Sequence, residues 1–205
     1  IVAVSSFNYV QTQEKRLPIY SPSMVSEELV EEDLRYIKKY HRISDFSLFN
    51  QNGDTVTQNN YKNKIYVADF FFTTCPDICP IMTGNMLYLQ EKLKETNVML
   101  ASFSVTPEID NVEVLKKYSI DKGVNDSNWN LMTGEKKQIY DLARKSYLVA
   151  KTVPENKNHG MIHTENFVLV DKEKRIRGYY DGTNIEDMDK LLDDIQILIK
   201  SYENS

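Results

Sequence analysis

The stretch KIYVADFFF (residues 64–72) most constrains what this chain can fold into. Apart from Lys64 and Asp69 it is apolar, so it has no face to offer to water. A strand of that kind is buried on both sides, in the interior of a sheet covered by helices. The segments after it supply such a frame. NVMLASFSV (97–105) reads as a second buried strand and WNLM (129–132) as a short third. Between and after them, an apolar face through Ile81, Leu87, Leu89 and Leu93 predicts a helix to about residue 95, with Pro80 in its first turn. NVEVLKKYSI (111–120) and GEKKQIYDLARKSYL (134–148) predict two more.

Hairpins flank this core in sequence. DFSLFNQNGDTVT (45–57) alternates on both sides of Asn52-Gly53, a strong two-strand turn signal. TENFVLVD (164–171) and KRIRGYYDG (174–182) pair across Lys172-Glu173. NIEDMDKLLDDIQILIKSY (184–202) closes the chain as an amphipathic helix with Leu191, Leu192, Ile195, Ile197 and Leu198 inward. The order predicts an α/β sandwich on a mixed sheet, parallel in the middle with an antiparallel hairpin at one side.

Ahead of this domain, residues 1–41 read as a lead-in or tether, and residues 42–205 as the domain. Residues 11–25 carry two prolines and little periodicity, as an extended segment does. SEELVEEDLRYIKKY (26–40) predicts a short surface helix, acidic early and basic late, with a thin stripe of Leu29, Val30, Leu34 and Ile37. The opening IVAVSSFNYV lacks an initiator Met and reads equally as the exit from a trimmed signal or anchor or as a disordered or strand-forming tail.

Composition narrows the function. With 25 Lys+Arg against 30 Asp+Glu the net charge is −5, a weak argument against a nucleic-acid surface, and no RNA-type aromatic motif or zinc-finger spacing compensates. The 41% hydrophobic and 27% charged residues suit a globular chain. No window reaches the 18 or so apolar residues of a spanning helix.

The only two cysteines, Cys75 and Cys79, stand in TTCPDICP, where the buried strand gives way to a helix. That is the carboxyl end of the sheet, where open α/β sheets bind ligands. Unpaired N–H groups at a helix start favour anions, so both thiols are expected to ionise below the usual value near 8.5. The spacing permits a disulfide or two sulfurs on one metal ion. A stapling disulfide is the plainer reading, but staples gain most from closing long loops, and this one is short.

Two sulfurs leave a soft metal under-coordinated. Of the three histidines, His41 has no evident partner and His159 sits in the loop NKNHG. His163 opens a strand expected to neighbour the one that ends at Cys75, so it can lean over the cysteine turn. Alone it would read as a hydrogen-bonded strand-end histidine; beside the pair it reads as a third ligand. Two sulfurs and an imidazole suit Cu(I), and Cu(II) if a further ligand joins, whereas structural zinc wants four protein ligands. Met82 and Met86 are i, i+4 on the helix and read as core rather than copper ligands; Met161 lies two residues before His163.

These residues also carry a likeness. TTCPDICP, then SVTPEID, then HTENFVLVDKEKRIRGYYDG together resemble the Sco/SenC family of thioredoxin-like proteins, from about Ile43 to the last helix. The resemblance implies a thioredoxin-like sandwich and copper handling for assembly of the dinuclear copper centre of cytochrome c oxidase, with Cys75, Cys79 and His163 on one copper ion. The implied partner is the copper-bearing subunit of the oxidase or another copper chaperone; a monomer is the default for a transfer protein that must expose its site. The implied setting is the periplasmic side of a bacterial inner membrane, or the mitochondrial intermembrane space, behind an N-terminal membrane anchor. The same Cys75/Cys79 pair could instead work as a thiol-disulfide reductase, with Cys75 attacking and Cys79 resolving. Peroxide reduction needs an Arg beside the thiolate, and Arg175 and Arg177 lie in the far hairpin. One departure stands out. Many family members carry Asp-Pro-x-x-Asp after the second core strand, and here Thr106 replaces the first acid while Asp110 keeps the second. Asp77, inside the cysteine motif, reads as a turn former or as support for the metal site.

Overall fold

A computed structural model of the chain describes residues 16–39, 41–150 and 164–203. Its centre is the run that opened the sequence reading. β3 (Tyr66–Phe71) is buried at every residue. It pairs in parallel with β4 (Met99–Ser104), which pairs in parallel with β5 (Trp129–Thr133). On its other side β3 meets β6 (Asn166–Val170) antiparallel, and β6 turns back into β7 (Ile176–Asp181).

The first hairpin, β1 (Ser47–Asn50) and β2 (Thr55–Thr57), joins the same sheet by pairing antiparallel with β5. The result is a seven-stranded thioredoxin-like mixed sheet in the order β2-β1-β5-β4-β3-β6-β7. It differs from the expectation of one flanking hairpin: antiparallel pairs close both sides. Gly53, at φ +80°, makes the first turn possible, a left-handed backbone that side chains resist.

Alternation along the strands sorts the core into two layers. Tyr66, Ala68 and Phe70 face one side with Phe103, Met132 and Tyr147. Val67 and Phe71 face the other with Leu100, Trp129 and Leu131. That second layer is covered by α1 (Ile78–Leu93), α2 (Val112–Lys122) and α4 (Ile185–Glu203), through Met82, Met86, Leu115, Met188 and Leu191 among others. None of the described helices is long and apolar enough to cross a membrane.

Two expected helices came out differently. Residues 26–39 form successive turns, with Leu29 N–H on the Ser26 carbonyl and Leu34 N–H on that of Glu31. Five acidic residues crowd positions 27–33. Arg35 spends its guanidinium on Glu27 and on the Val30 carbonyl rather than on a helical ladder. Val30 is fully buried instead of lying on a surface stripe.

The helix expected over 134–148 starts as α3 (Lys136–Asp141) and widens into a π turn over Leu142–Ser146. His41, expected to be unpartnered, sits 2.7 Å from the Ser146 carbonyl through Nε2. The Ser44 N–H donates to the Ser146 hydroxyl at 2.7 Å. The π turn therefore accepts contacts from the segment before β1, which a regular helix end would not present in that place.

The lead-in packs on the last hairpin. The Tyr20 N–H donates to the Ile176 carbonyl at 2.9 Å. Arg177 donates to the carbonyls of Leu17 and Pro18, both at 2.8 Å.

Candidate functional site

β3 ends at Phe71, and the chain makes a turn through Cys75, Pro76 and Asp77 before α1 begins at Ile78. Cys75 thus lies in the turn, half-buried, and Cys79 lies in the first turn of α1, buried at 4% exposure. Both are free thiols. Pro80 follows within the first helical turn, where its missing N–H removes no helical bond.

The pair is electrostatically unequal. Burial pushes the Cys75 thiol up, but hydrogen bonds from the backbone N–H groups of Asp77, Cys79 and Ile78, and from the Cys79 thiol, outweigh it, so the net shift is downward. These N–H groups belong to the start of α1, where helices stabilise anions. The expectation that both thiols ionise more readily fails for Cys79. Burial pushes it up to about 12, against an opposing backbone hydrogen bond from Phe72, and the Cys75 sulfur and the Asp69 charge push the same way. The Cys75 thiol thus ionises more readily than usual and the Cys79 thiol less readily.

Beneath the pair lies a polar column that the sequence reading missed. Asp69 is 3% exposed, on the α1-facing side of β3. Register places it opposite Ser102 on β4, whose hydroxyl donates to it. The Trp129 indole N–H donates to the Ser102 oxygen at 2.8 Å. An indole N–H only donates, so the Ser102 proton is free to point at Asp69. Burial pushes the Asp69 carboxyl up to about 7, with the Ser102 bond opposing. A lone carboxylate in an otherwise apolar strand was the available signal.

A second carboxylate flanks the turn. Asp110, fully buried, accepts from the Thr73 N–H at 3.1 Å and the Thr73 hydroxyl at 2.5 Å. It also accepts from the Ser104 hydroxyl at 2.6 Å and the Thr106 hydroxyl at 3.1 Å. Thr106, the departure from Asp-Pro-x-x-Asp, is therefore a donor to the acid that is kept. Tyr118, raised first by burial and then by the charges of Asp69, Cys79 and Asp110, marks where these groups share one neighbourhood.

The remaining sequence candidates divide plainly. His163, the expected third ligand, lies outside the described residues, as do His159 and Met161. Met82 and Met86 are fully buried core residues. Asp77 precedes α1 without a side-chain cap, and its N–H is among those facing the Cys75 sulfur. Among the described residues, no three of His, Cys, Asp and Glu gather closely enough to hold a metal ion. The described part of the site thus offers two sulfurs, one of them accessible, over two buried carboxylates.

The comparisons with known proteins point one way. A SCO1/SenC family lipoprotein from Bacillus anthracis superposes with a TM-score of 0.70 at 32% identity, over 78% of this chain and 95% of that one. BsSco, described as a member of the Sco family of cytochrome c oxidase assembly proteins in which a disulfide switch was identified, gives 0.65 at 34%, over 77% and 93%. ScoI of Arabidopsis thaliana, solved with copper bound, gives 0.62 at 30%, over 78% and 98%. With residues 35–200 matching the SCO1/SenC family, the chain belongs to that family.

Proposed function

We propose that this chain carries copper for assembly of the dinuclear copper centre of cytochrome c oxidase, with Cys75, Cys79 and His163 holding one ion as cargo. The observation that carries this reading is two free thiols in one strand-to-helix turn, with the Cys75 sulfur accessible and lowered in pKa beside a buried Cys79. Thiolate is the soft ligand that selects Cu(I), and an accessible thiolate allows ligand exchange with a receiving protein. Two sulfurs leave the coordination incomplete, which is the reason for assigning the third place to His163. The relatives support the choice of metal and of pathway: ScoI of Arabidopsis thaliana was solved with copper bound, and BsSco is an oxidase assembly protein. The receiver is the copper-bearing oxidase subunit or another copper chaperone. The protein works as an anchored monomer facing the periplasm or the intermembrane space.

A second reading, thiol-disulfide reduction of a partner's cysteines, is favoured by the same asymmetry. Cys75 attacks a partner disulfide as thiolate, and Cys79 displaces the partner from the mixed disulfide after giving up its proton. The partner leaves with two thiols and this chain with a Cys75–Cys79 disulfide.

Anaerobic titration of the reduced protein, with copper and zinc offered together, tests the copper reading. About one equivalent of copper is expected, abolished in Cys75→Ala and Cys79→Ala and much weakened in His163→Ala. Unchanged affinity in His163→Ala would remove His163 from the site. Thiol-disulfide exchange that survives in His163→Ala, with copper retention lost, would assign the two roles to separable parts of one pair.

A further inference from the structure

The cysteine turn is held at its downstream end by the N–H groups that face the Cys75 sulfur, and less tightly upstream. Its internal backbone bond, from the Cys75 N–H to the Phe72 carbonyl, is long at 3.4 Å. That bond alone leaves the upstream half of the turn loosely fixed, while the downstream half is held where the Cys75 sulfur accepts N–H groups from the start of α1. The turn is tied down at Thr73, two residues upstream, and both bonds from Thr73 end on the Asp110 carboxylate.

That carboxylate is itself rigidly mounted. The N–H groups of Ile109 and Asp110 both donate to the Thr106 carbonyl at 2.8 Å, closing a tight turn. The next residue, Asn111, caps α2 by accepting from the Val114 N–H at 3.0 Å. Tyr140 on α3 donates to the Val105 carbonyl at 3.0 Å. Asp110 thus projects from a loop braced by two helices and the end of β4, and reaches across to the end of β3.

From this geometry we infer that Asp110 is the positioning residue of the redox and copper pair: through Thr73 it sets the distance and orientation between the Cys75 and Cys79 sulfurs, touching neither. Thr106 serves the same acid by donating to its Oδ2. The inference deepens the proposed function, since it takes Cys75 and Cys79 as the working pair, but it concerns their geometry and is read without copper.

The measurement is the equilibrium constant for forming the Cys75–Cys79 disulfide against dithiothreitol, in folded protein checked by circular dichroism. This constant reports how well the fold holds two sulfurs for bonding, and a loss of stability shared by both redox forms cancels from it. Thr73→Val keeps the backbone N–H bond and removes the hydroxyl tie. Thr73→Ser restores it. Ser104→Ala removes a comparable buried hydroxyl from the same carboxylate without touching the turn.

Asp110→Asn and Thr73→Val are expected to shift the constant about tenfold, and Thr73→Ser and Ser104→Ala to stay within about twofold of the parent. Should Asp110→Asn fail to fold, the Thr73 pair with Ser104→Ala decides. Equal shifts in Ser104→Ala and Thr73→Val would overturn the inference, as would no shift in Thr73→Val. Neither result depends on copper, so a failed metal titration leaves this test intact.

Discussion

The two ends of the central sheet each bury a carboxylate, and they neutralise it by opposite means. Because β6 runs antiparallel to β3, Asp171 at the end of β6 lies at the far end of the sheet from the cysteine turn. It accepts from Arg175 Nε at 2.8 Å and Arg177 Nη1 at 2.9 Å, and from the N–H groups of Glu173 and Arg175 at 3.0 Å. Asp110, at the cysteine end, is held by three hydroxyls and a backbone N–H. No ion pair among the described residues includes Asp110 or Asp69. The comparison separates a carboxylate used as a fastener, whose charge is cancelled on the spot, from carboxylates left with neutral donors beside the thiol pair. If the pair holds copper as proposed, guanidinium groups beside the thiols would compete with the ion. Keeping them at the hairpin end removes that competition.

The largest effect that can break this contrast is at the fastener. Asp171→Ala leaves the Arg177 side chain, 10% exposed, without its carboxylate. Removing one partner of a buried pair is expected to cost about 3–5 kcal/mol in chemical denaturation. The copper stoichiometry of the folded fraction should not change. A cost below about 1 kcal/mol would mean that the hairpin is held by its other contacts.

The next effect is one of pH. Asp69 binds its proton more readily folded, with a value raised from 3.8 to about 7. Protonation of Asp69 therefore stabilises the fold: the contribution is complete below about 4 and is lost as pH rises through about 7. Denaturation curves of the parent and of Asp69→Asn should diverge in that window, the parent losing up to about 4 kcal/mol relative to the variant between pH 4 and pH 8. Parallel curves would show that Asp69 is effectively solvated.

The smallest effect sharpens the comparison by showing what a surface charge contributes. Lys136→Ala breaks an ion pair whose side chains are about half exposed. It should alter stability by no more than about 0.5 kcal/mol. A much larger loss would promote Glu108 from surface partner to part of the Asp110 brace.

Much of this architecture was legible in the sequence because it rests on burial. The apolar run through Phe70 and Phe71 could only be a central strand, and the Asn52-Gly53 pair could only be a turn. Cys75 and Cys79 were readable in placement because the strand-to-helix switch happens between them. The fate of residues 26–39 was not readable, since a weak apolar stripe gives a helix no reason to outlast competing contacts from Arg35. The π turn at Leu142–Ser146 meets His41 and Ser44, about a hundred residues away, contacts that local sequence does not show. The inequality of the thiols likewise depends on how deep the helix start sits, which spacing does not encode. Asp110 was noticed as a motif residue, but its grip on Thr73 is purely tertiary.

The lead-in on the last hairpin has one more consequence. β7 is the outermost strand on its side of the sheet, and an outermost strand presents unused amide and carbonyl groups to any passing chain. Here Tyr20 takes the Ile176 carbonyl, and the backbone of Leu17 and Pro18 is clasped by Arg177. The molecule thus sheathes its own open margin, and a version beginning at residue 42 would bare a template for stacking one copy onto the next.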